Sequence, residues 1–347
     1  MFDTVLGAFT SDLAIDLGTA NTRVAIAGQG VVCRKPSVAA VQYGTDGNRQ
    51  LVAVGDDALK MEGRTPKDVR IVRPIQDGAV SDFEVAEAML RVLLVEVQGR
   101  RLWVGPRVVI AMPHGTTDME RRAVREAVEA SGARSVTLVD QPLSAAIGMG
   151  LPVHEARGHL IIDVGAGATD VSVLSLGGVV HSHTMRVGGD QMDQAIAHAV
   201  KSRLGIEISR AMAEQLKFRF ANDGVLGPRE PVEEPTMVVR GRHIKSGYPA
   251  STAIPVSLVK DALAEPVRML VDAVVRSLEF TPPDLAADIA QTGALMTGGG
   301  ALHAALPRTV QDATGLPVIV PEDPICAVVL GASKYLEDPA GLFVRAS

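Results

Sequence analysis

Two acidic loops, each leading out of a short apolar strand, constrain this chain more than any other feature. The first reads Asp16-Leu17-Gly18-Thr19-Ala20-Asn21-Thr22 and the second Asp163-Val164-Gly165-Ala166-Gly167-Ala168-Thr169-Asp170. Each follows an apolar run, Leu13 to Ile15 or Leu160 to Ile162, and precedes a β-branched one, Val24 to Ile26 or Val171 to Val173. Strand, tight turn and strand, occurring twice, predict two similar half-molecules clamping one nucleotide. Small residues let backbone N–H groups approach phosphate oxygens. Thr and Asn add side-chain donors. A carboxylate repels phosphate, so Asp16 and Asp163 are expected to hold a hydrated Mg²⁺ between them. Either loop alone would pass for an ordinary β-turn. Two in equivalent settings, with Gly298-Gly299-Gly300 after a third apolar strand, argue for one shared site.

The 347 residues leave room for about two domains. A net charge of −6 argues against a nucleic-acid protein held by phosphate neutralisation. No apolar run reaches the roughly 20 residues that span a bilayer, and the N-terminus lacks the basic segment of a signal peptide. Cys33 and Cys326 make no disulfide framework and read as small buried thiols in a reducing cytoplasm. The eight histidines show no metal-ligand spacing. His181 and His183 alternate along one strand, and His114 reads as a turn residue.

Helical spacing of apolar residues predicts a helix over 83–97. Val108 to Met112 is a buried strand. Thr117-Asp118-Met119-Glu120 is a capping box opening a helix that Gly132 closes. Val136 to Val139 is a strand, followed by a helix from Pro142 to Gly148. Further helices are expected after Gly188-Gly189-Asp190, over Ala211 to Phe220, along the face Leu263 to Leu278, and from Ala301. Residues 222–256, with a strand at Met237 to Val239, read as a small peripheral unit. Strands alternating with helices give an α/β fold with ligands at strand C-termini.

The stretches Gly63-Arg64-Thr65-Pro66, Arg73-Pro74-Ile75-Gln76-Asp77-Gly78, Glu120-Arg121-Arg122-Ala123, Ala145 to Pro152 and Thr297 to Leu302 add to the first loop. Together they make the chain resemble the MreB family of bacterial actin homologues, within the actin, heat-shock chaperone and sugar kinase superfamily, from about Asp12 to Leu336. The resemblance implies an actin-like ATPase fold. Two lobes would each carry a β-sheet core flanked by helices and a small peripheral subdomain, with the nucleotide in the interlobe cleft. Lobe I would take 1–32, 70–149 and 337–347, with 33–69 as its small subdomain. Lobe II would take 150–187 and 262–336, with 188–261 as its small subdomain. ATP and Mg²⁺ are the implied ligands, with GTP left open, and nucleotide-linked polymerisation is the implied behaviour.

Carried over residue by residue, the resemblance places Asp16, Gly18, Thr19, Ala20, Asn21 and Thr22 on one side of the phosphates. Gly165, Ala166, Gly167 and Thr169 stand on the other. Gly188 and Gly189 lie near the sugar. Glu214 and Lys217 match a helix that contacts ribose and base, although an intrahelical ion pair is the commoner meaning of that spacing. Gly298, Gly299, Gly300 and Ala301 form the adenosine-side loop. Gln141, Asp163 and Asp170 are the expected catalytic set. The chain departs from the family at two places. Asp140-Gln141-Pro142 stands where MreB proteins usually have Glu-Glu-Pro, and Ala166 and Ala168 stand where Gly and Thr are usual. Gln141 cannot act as a base at neutral pH, but its amide can position water, so hydrolysis is expected to be slow.

Arg100-Arg101-Leu102-Trp103-Val104-Gly105-Pro106-Arg107 places the chain's only Trp beside apolar residues and between arginines, in a stretch read as a loop. Leu102 and Trp103 suit an anionic lipid surface, and MreB proteins resemble the chain in carrying a membrane-insertion loop here. Trp103 folded back onto its own domain is the competing reading. Phe2, Val5, Leu6 and Phe9 form a short amphipathic stripe that would help weakly. The expected function is a membrane-associated, polymerising cytoskeletal protein at the inner face of the cell membrane. It would organise cell shape and wall synthesis, with itself, the membrane and wall-synthesis proteins as partners and no nucleic acid. The alternatives are a co-assembling paralogue with little hydrolysis and a small-molecule kinase of the same fold.

Overall fold

A computed structural model describes residues 12–44, 47–98, 105–221 and 234–337. Leu102, Trp103 and the N-terminal stripe lie outside these residues.

Two five-stranded sheets repeat one topology. In the first, the strands run Ser135–Asp140, Arg107–Met112, Leu13–Leu17, Asn21–Ile26, Gly30–Pro36 across the sheet. In the second they run Val318–Ile319, Ala294–Thr297, His159–Val164, Thr169–Ser175, Gly178–Met185. Each sheet is an antiparallel meander of three strands with two parallel strands added beyond its first. The turn between Ile26 and Gly30 follows the glycine signal in the sequence, with Gly28 and Gly30 both at positive φ.

Strand alternation sets what each sheet faces. Leu13, Ile15 and Leu17 pack outward against helices Phe83–Gln98 and Asp118–Ala130, whereas Ala14 faces inward. Leu160, Ile162 and Val164 pack outward against helices Val256–Glu279 and Ala305–Thr314, whereas Ile161 faces inward. Between the sheets lie helices Gln141–Gly148 and Ala327–Leu336, and one apolar cluster joins them to both sheets through Ala14, Ala111, Ile161 and Leu174. These two helices touch backbone to backbone. A Cβ on Gly331 would stand 1.6 Å from the Ser144 carbonyl oxygen, and one on Gly148 2.0 Å from that of Ala327. Lys334 Nζ donates to the carbonyl of Ile147 at 2.7 Å and so caps the shorter helix.

A small three-stranded sheet carries Arg49–Val54, Ala39–Tyr43 and Val69–Val72 above the first large sheet. A second, of Ile206–Glu207, Thr236–His243 and Pro249–Pro255, packs with helices Gly189–Leu204 and Arg210–Ala221. The capping box at Thr117 is present with both of its hydrogen bonds. One expectation fails locally. The α-helix begins at Ala305, and Gly299–Leu302 is a single 3₁₀ turn. Gly298 at φ 81° sits against Asp163 and Val164 too closely for any side chain, and Gly300 lies against the Val164 side chain. The chain must therefore turn before it can coil.

Candidate functional site

Asp16 shares the inward parity of Ala14, and Asp163 that of Ile161, so the repeat aims both carboxylates into the space between the sheets. The register places Asp16 opposite Arg23 and Asp163 opposite Asp170, in equivalent positions of the two halves. Where the central helices end, a cleft of about 1270 Å³ opens, with bulk solvent at its mouth included. It is lined on one side by Asp16, Gly18, Thr19, Ala20, Asn21, Arg23 and Gln141. On the other side stand Asp163, Gly165, Ala166, Gly167, Asp170 and Gly189. Glu214, Lys217 and Gly298 to Gly300 complete the wall.

The glycine loops are tight because their backbones meet. Gly165 N–H donates to the Ala168 carbonyl at 2.9 Å, and Gly189 N–H to that of Gly165 at 3.0 Å. A Cβ on Gly188 would stand 2.6 Å from the carbonyl oxygens of Gly165 and Ala166. The two halves also touch each other. A Cβ on Gly167 would stand 2.9 Å from both Thr19 Oγ1 and the Asp77 nitrogen, while Thr19 Oγ1 accepts from Gly78 N–H at 3.1 Å. Thr22 and Thr169 are expected to offer hydroxyls to phosphate, and the structure turns them away. Thr22 is fully buried on Ser37 Oγ at 2.9 Å, and Thr169 donates to the Val187 carbonyl at 2.7 Å. Both brace the loops from behind, because outward parity places them on the sheet's far face. Gly188 and Ala301 also stand behind the wall.

Three carboxylates face the cleft, Asp16 and Asp170 buried and Asp163 half-buried. Arg23 Nη1 donates to Asp16 Oδ2 at 3.0 Å, and Gln141 Nε2 lies 3.4 Å from Asp16 Oδ1. Burial raises Asp16 above the usual carboxylate range, against the pull of Arg23. Burial, with Asp170 and Asp16 nearby, pushes Asp163 up to about 7. Burial raises Asp170 as well, opposed by its hydrogen bond from Thr184. A cluster so poor in positive charge fits a divalent cation, which would stabilise all three ionised acids together. No group of three or more His, Cys, Asp or Glu stands in direct-ligand geometry among the described residues.

On the opposite wall Lys217 forms no ion pair with Glu214. Its ammonium lies 2.7 Å from Asp193 on the preceding helix and donates to the Gly189 carbonyl at 3.0 Å. Arg210 pairs with Asp190. Asp140 is held by Arg121 at 2.9 Å and His114 at 3.4 Å. Arg23, Asp193 and Arg210 line the cleft, yet no motif in the sequence singles them out. Only the strand register could have flagged Arg23.

The chain is similar to known proteins along nearly its whole length. The MreB/Mbl protein family model matches residues 10–342. Cell shape-determining protein MreB of Escherichia coli (strain K12) is 43% identical over 333 residues, covering 95% of this chain and 94% of its own. Cell shape-determining protein Mbl of Bacillus subtilis (strain 168) is 36% identical over 330 residues, covering 95% and 97%. The crystal structure of MreB5 of Spiroplasma citri bound to AMPPNP superposes with a TM-score of 0.86 at 32% identity, covering 94% of this chain and 96% of that one. A MamK double helical filament, at 21% identity and a TM-score of 0.74, shares the fold. The repeated sheets, the cleft between them and the match along nearly the whole chain have one reading: this protein belongs to the MreB/Mbl family and has the actin-like fold.

Proposed function

We propose that this chain is a nucleotide-dependent, polymerising bacterial actin. It forms filaments on the inner face of the cell membrane and organises cell shape and wall synthesis, with slow ATP hydrolysis. The observation that carries the reading is the pair of acidic glycine loops meeting at Thr19 and Gly167 across one cleft. Support comes from relatives named as cell shape-determining proteins and from the MreB5 structures bound to AMPPNP and to ADP.

In this reading Gly18, Thr19, Ala20 and Asn21 hold one side of the phosphates through backbone N–H groups, and Ala166 and Gly167 the other, with Gly165, whose own N–H closes the turn onto Ala168, letting the phosphates approach. Asp16 and Asp163 hold Mg²⁺ through its waters, and the ion neutralises phosphate charge when bound. Glu214 and Lys217 border the ribose and base, with Lys217 fixed by Asp193. Gln141 orients the attacking water and Asp170 helps to position it. The small units over 33–69 and 188–261 belong to the same proposal.

Membrane contact is assigned to Leu102 and Trp103. No helix among the described residues is long and apolar enough to cross a membrane. Anchoring would then be peripheral, with many weak sites on one filament acting by avidity. A second reading, a paralogue that co-assembles and hardly hydrolyses, is favoured by Gln141 together with the methyl groups of Ala166 and Ala168 beside the phosphate loop. Electron microscopy of the protein on anionic liposomes tests the proposal. Membrane-bound filaments with Mg²⁺-ATP and none without nucleotide are expected. Bare liposomes in both conditions would overturn it in favour of a soluble enzyme or a partner-dependent paralogue.

A further inference from the structure

The two halves repeat each other down to the residue paired with each acid, and there they part. Opposite Asp163 the second half has Asp170, whereas opposite Asp16 the first half has Arg23. The guanidinium is largely buried, lines the cleft and touches Asp16. A methyl group on Gly18 would stand 4.0 Å from Arg23 Nη1, so the positive charge lies against the first glycine loop itself. Lys217 and Arg210, the other two cations of the wall, stand across the cleft and are committed to Asp193 and Asp190. Among the described residues Arg23 is therefore the one fixed cation on the Asp16 side, and its partner is the carboxylate that a hydrated Mg²⁺ would claim.

We propose that Arg23 is a resident counter-ion for the nucleotide's phosphates, sharing with the divalent cation the work of neutralising them; the inference rests on the nucleotide reading above. A guanidinium offers five N–H donors in a planar fork and stays charged at any working pH. In the structure one arm of that fork satisfies Asp16. When a hydrated cation takes the Asp16 oxygens, the fork is released beside Gly18, within reach of phosphate oxygens, where it binds as a charge-assisted donor. When no divalent cation is present, Arg23 alone keeps Asp16 from repelling the phosphates. The chain should thus bind nucleoside triphosphate with unusually little need for Mg²⁺.

The test is isothermal titration of the full chain with ATP, in Mg²⁺ and in EDTA, for the wild type, Arg23→Met and Arg23→Lys. The wild type should keep measurable affinity in EDTA, within about tenfold of that in Mg²⁺. Arg23→Met should weaken binding about tenfold in Mg²⁺ and abolish it in EDTA, as expected for one lost charge-assisted contact and one unscreened carboxylate. Arg23→Lys, which keeps the charge and the ion pair, should fall between them and controls for folding. Equal affinities of wild type and Arg23→Met in EDTA, or loss of wild-type binding in EDTA, would overturn the role of Arg23 and leave the nucleotide site standing. Absence of wild-type binding in both conditions would overturn the nucleotide reading and this inference with it.

Discussion

Lys217 reaches across to Asp193, 2.7 Å away on another helix, and leaves Glu214 on its own helix unpaired with it. Both members of the pair are buried. Removing one strands the other's charge, so Lys217→Met should cost about 3–5 kcal/mol of stability. Lys217→Met with Asp193→Leu should regain most of it and still bind ATP poorly, because the ammonium at the cleft is gone. Urea unfolding and nucleotide titration separate the two effects. Full recovery of affinity in the double variant would make the pair purely structural.

The acid cluster predicts how the nucleotide-free protein responds to pH. Asp163 is raised from 3.8 to about 7. The folded state therefore holds a proton that the unfolded state releases, and stability falls as pH rises between those values. Each unit of such a shift is worth about 1.4 kcal/mol. His159 and His303, kept neutral by burial, tilt the curve the other way as pH falls through 6.5. Asp163→Asn removes only the acid's share. The variant should gain on the wild type steadily from pH 5 to 7.5 in urea unfolding, and Mg²⁺ with ADP should close the gap. Parallel curves would mean that Asp163 is already ionised at pH 5.

Gln141 opens the central helix with its amide 3.4 Å from Asp16. Gln141→Glu places a base where the amide now stands and should speed Mg²⁺-dependent phosphate release by about tenfold or more. An unchanged rate in a phosphate-release assay would remove this position from the handling of water.

Leu102→Ala with Trp103→Ala should lower co-sedimentation with anionic liposomes several-fold while leaving ATP affinity as it was. Unchanged lipid binding would refute the loop assignment. Raising the salt concentration should weaken whatever the flanking arginines contribute.

The helix crossing has no slack. Gly331→Ala should cost about 3 kcal/mol or more, because the methyl group would overlap the Ser144 carbonyl. Gly299→Ala meets nothing within 4 Å and should leave the melting temperature near that of the wild type. Equal losses in thermal unfolding would show that the crossing yields.

The acid-glycine loops were legible in the sequence because chain-local geometry makes them: a strand, a turn too tight for side chains and a second strand. The inward aim of Asp16 and Asp163 follows from period-two alternation alone. What stayed hidden depends on register and on partner choice. Arg23 meets Asp16 only once the hairpin register is known. Lys217 takes Asp193 over Glu214 because Gly189–Leu204 packs beside it, which no spacing within one helix reveals. Thr22 and Thr169 look like phosphate donors in a linear reading, and parity turns both away. The helix expected from Ala301 is delayed by Gly298 and Gly300, whose close packing on Val164 belongs to the tertiary fold.

The glycine crossing between Gly148 and Gly331 has a mechanical consequence. Backbones in contact leave no layer of side chains to shear, so relative motion of the halves is expected to be a swing about this point and not a slide. A swing keeps each sheet rigid and gears small motions into large ones. A fraction of an ångström gained or lost where Gly167 meets Thr19 grows with distance from the pivot and is greatest at the outer small sheets. In such a swing the joint would be the fulcrum, with the phosphate loops on the short arm of the lever.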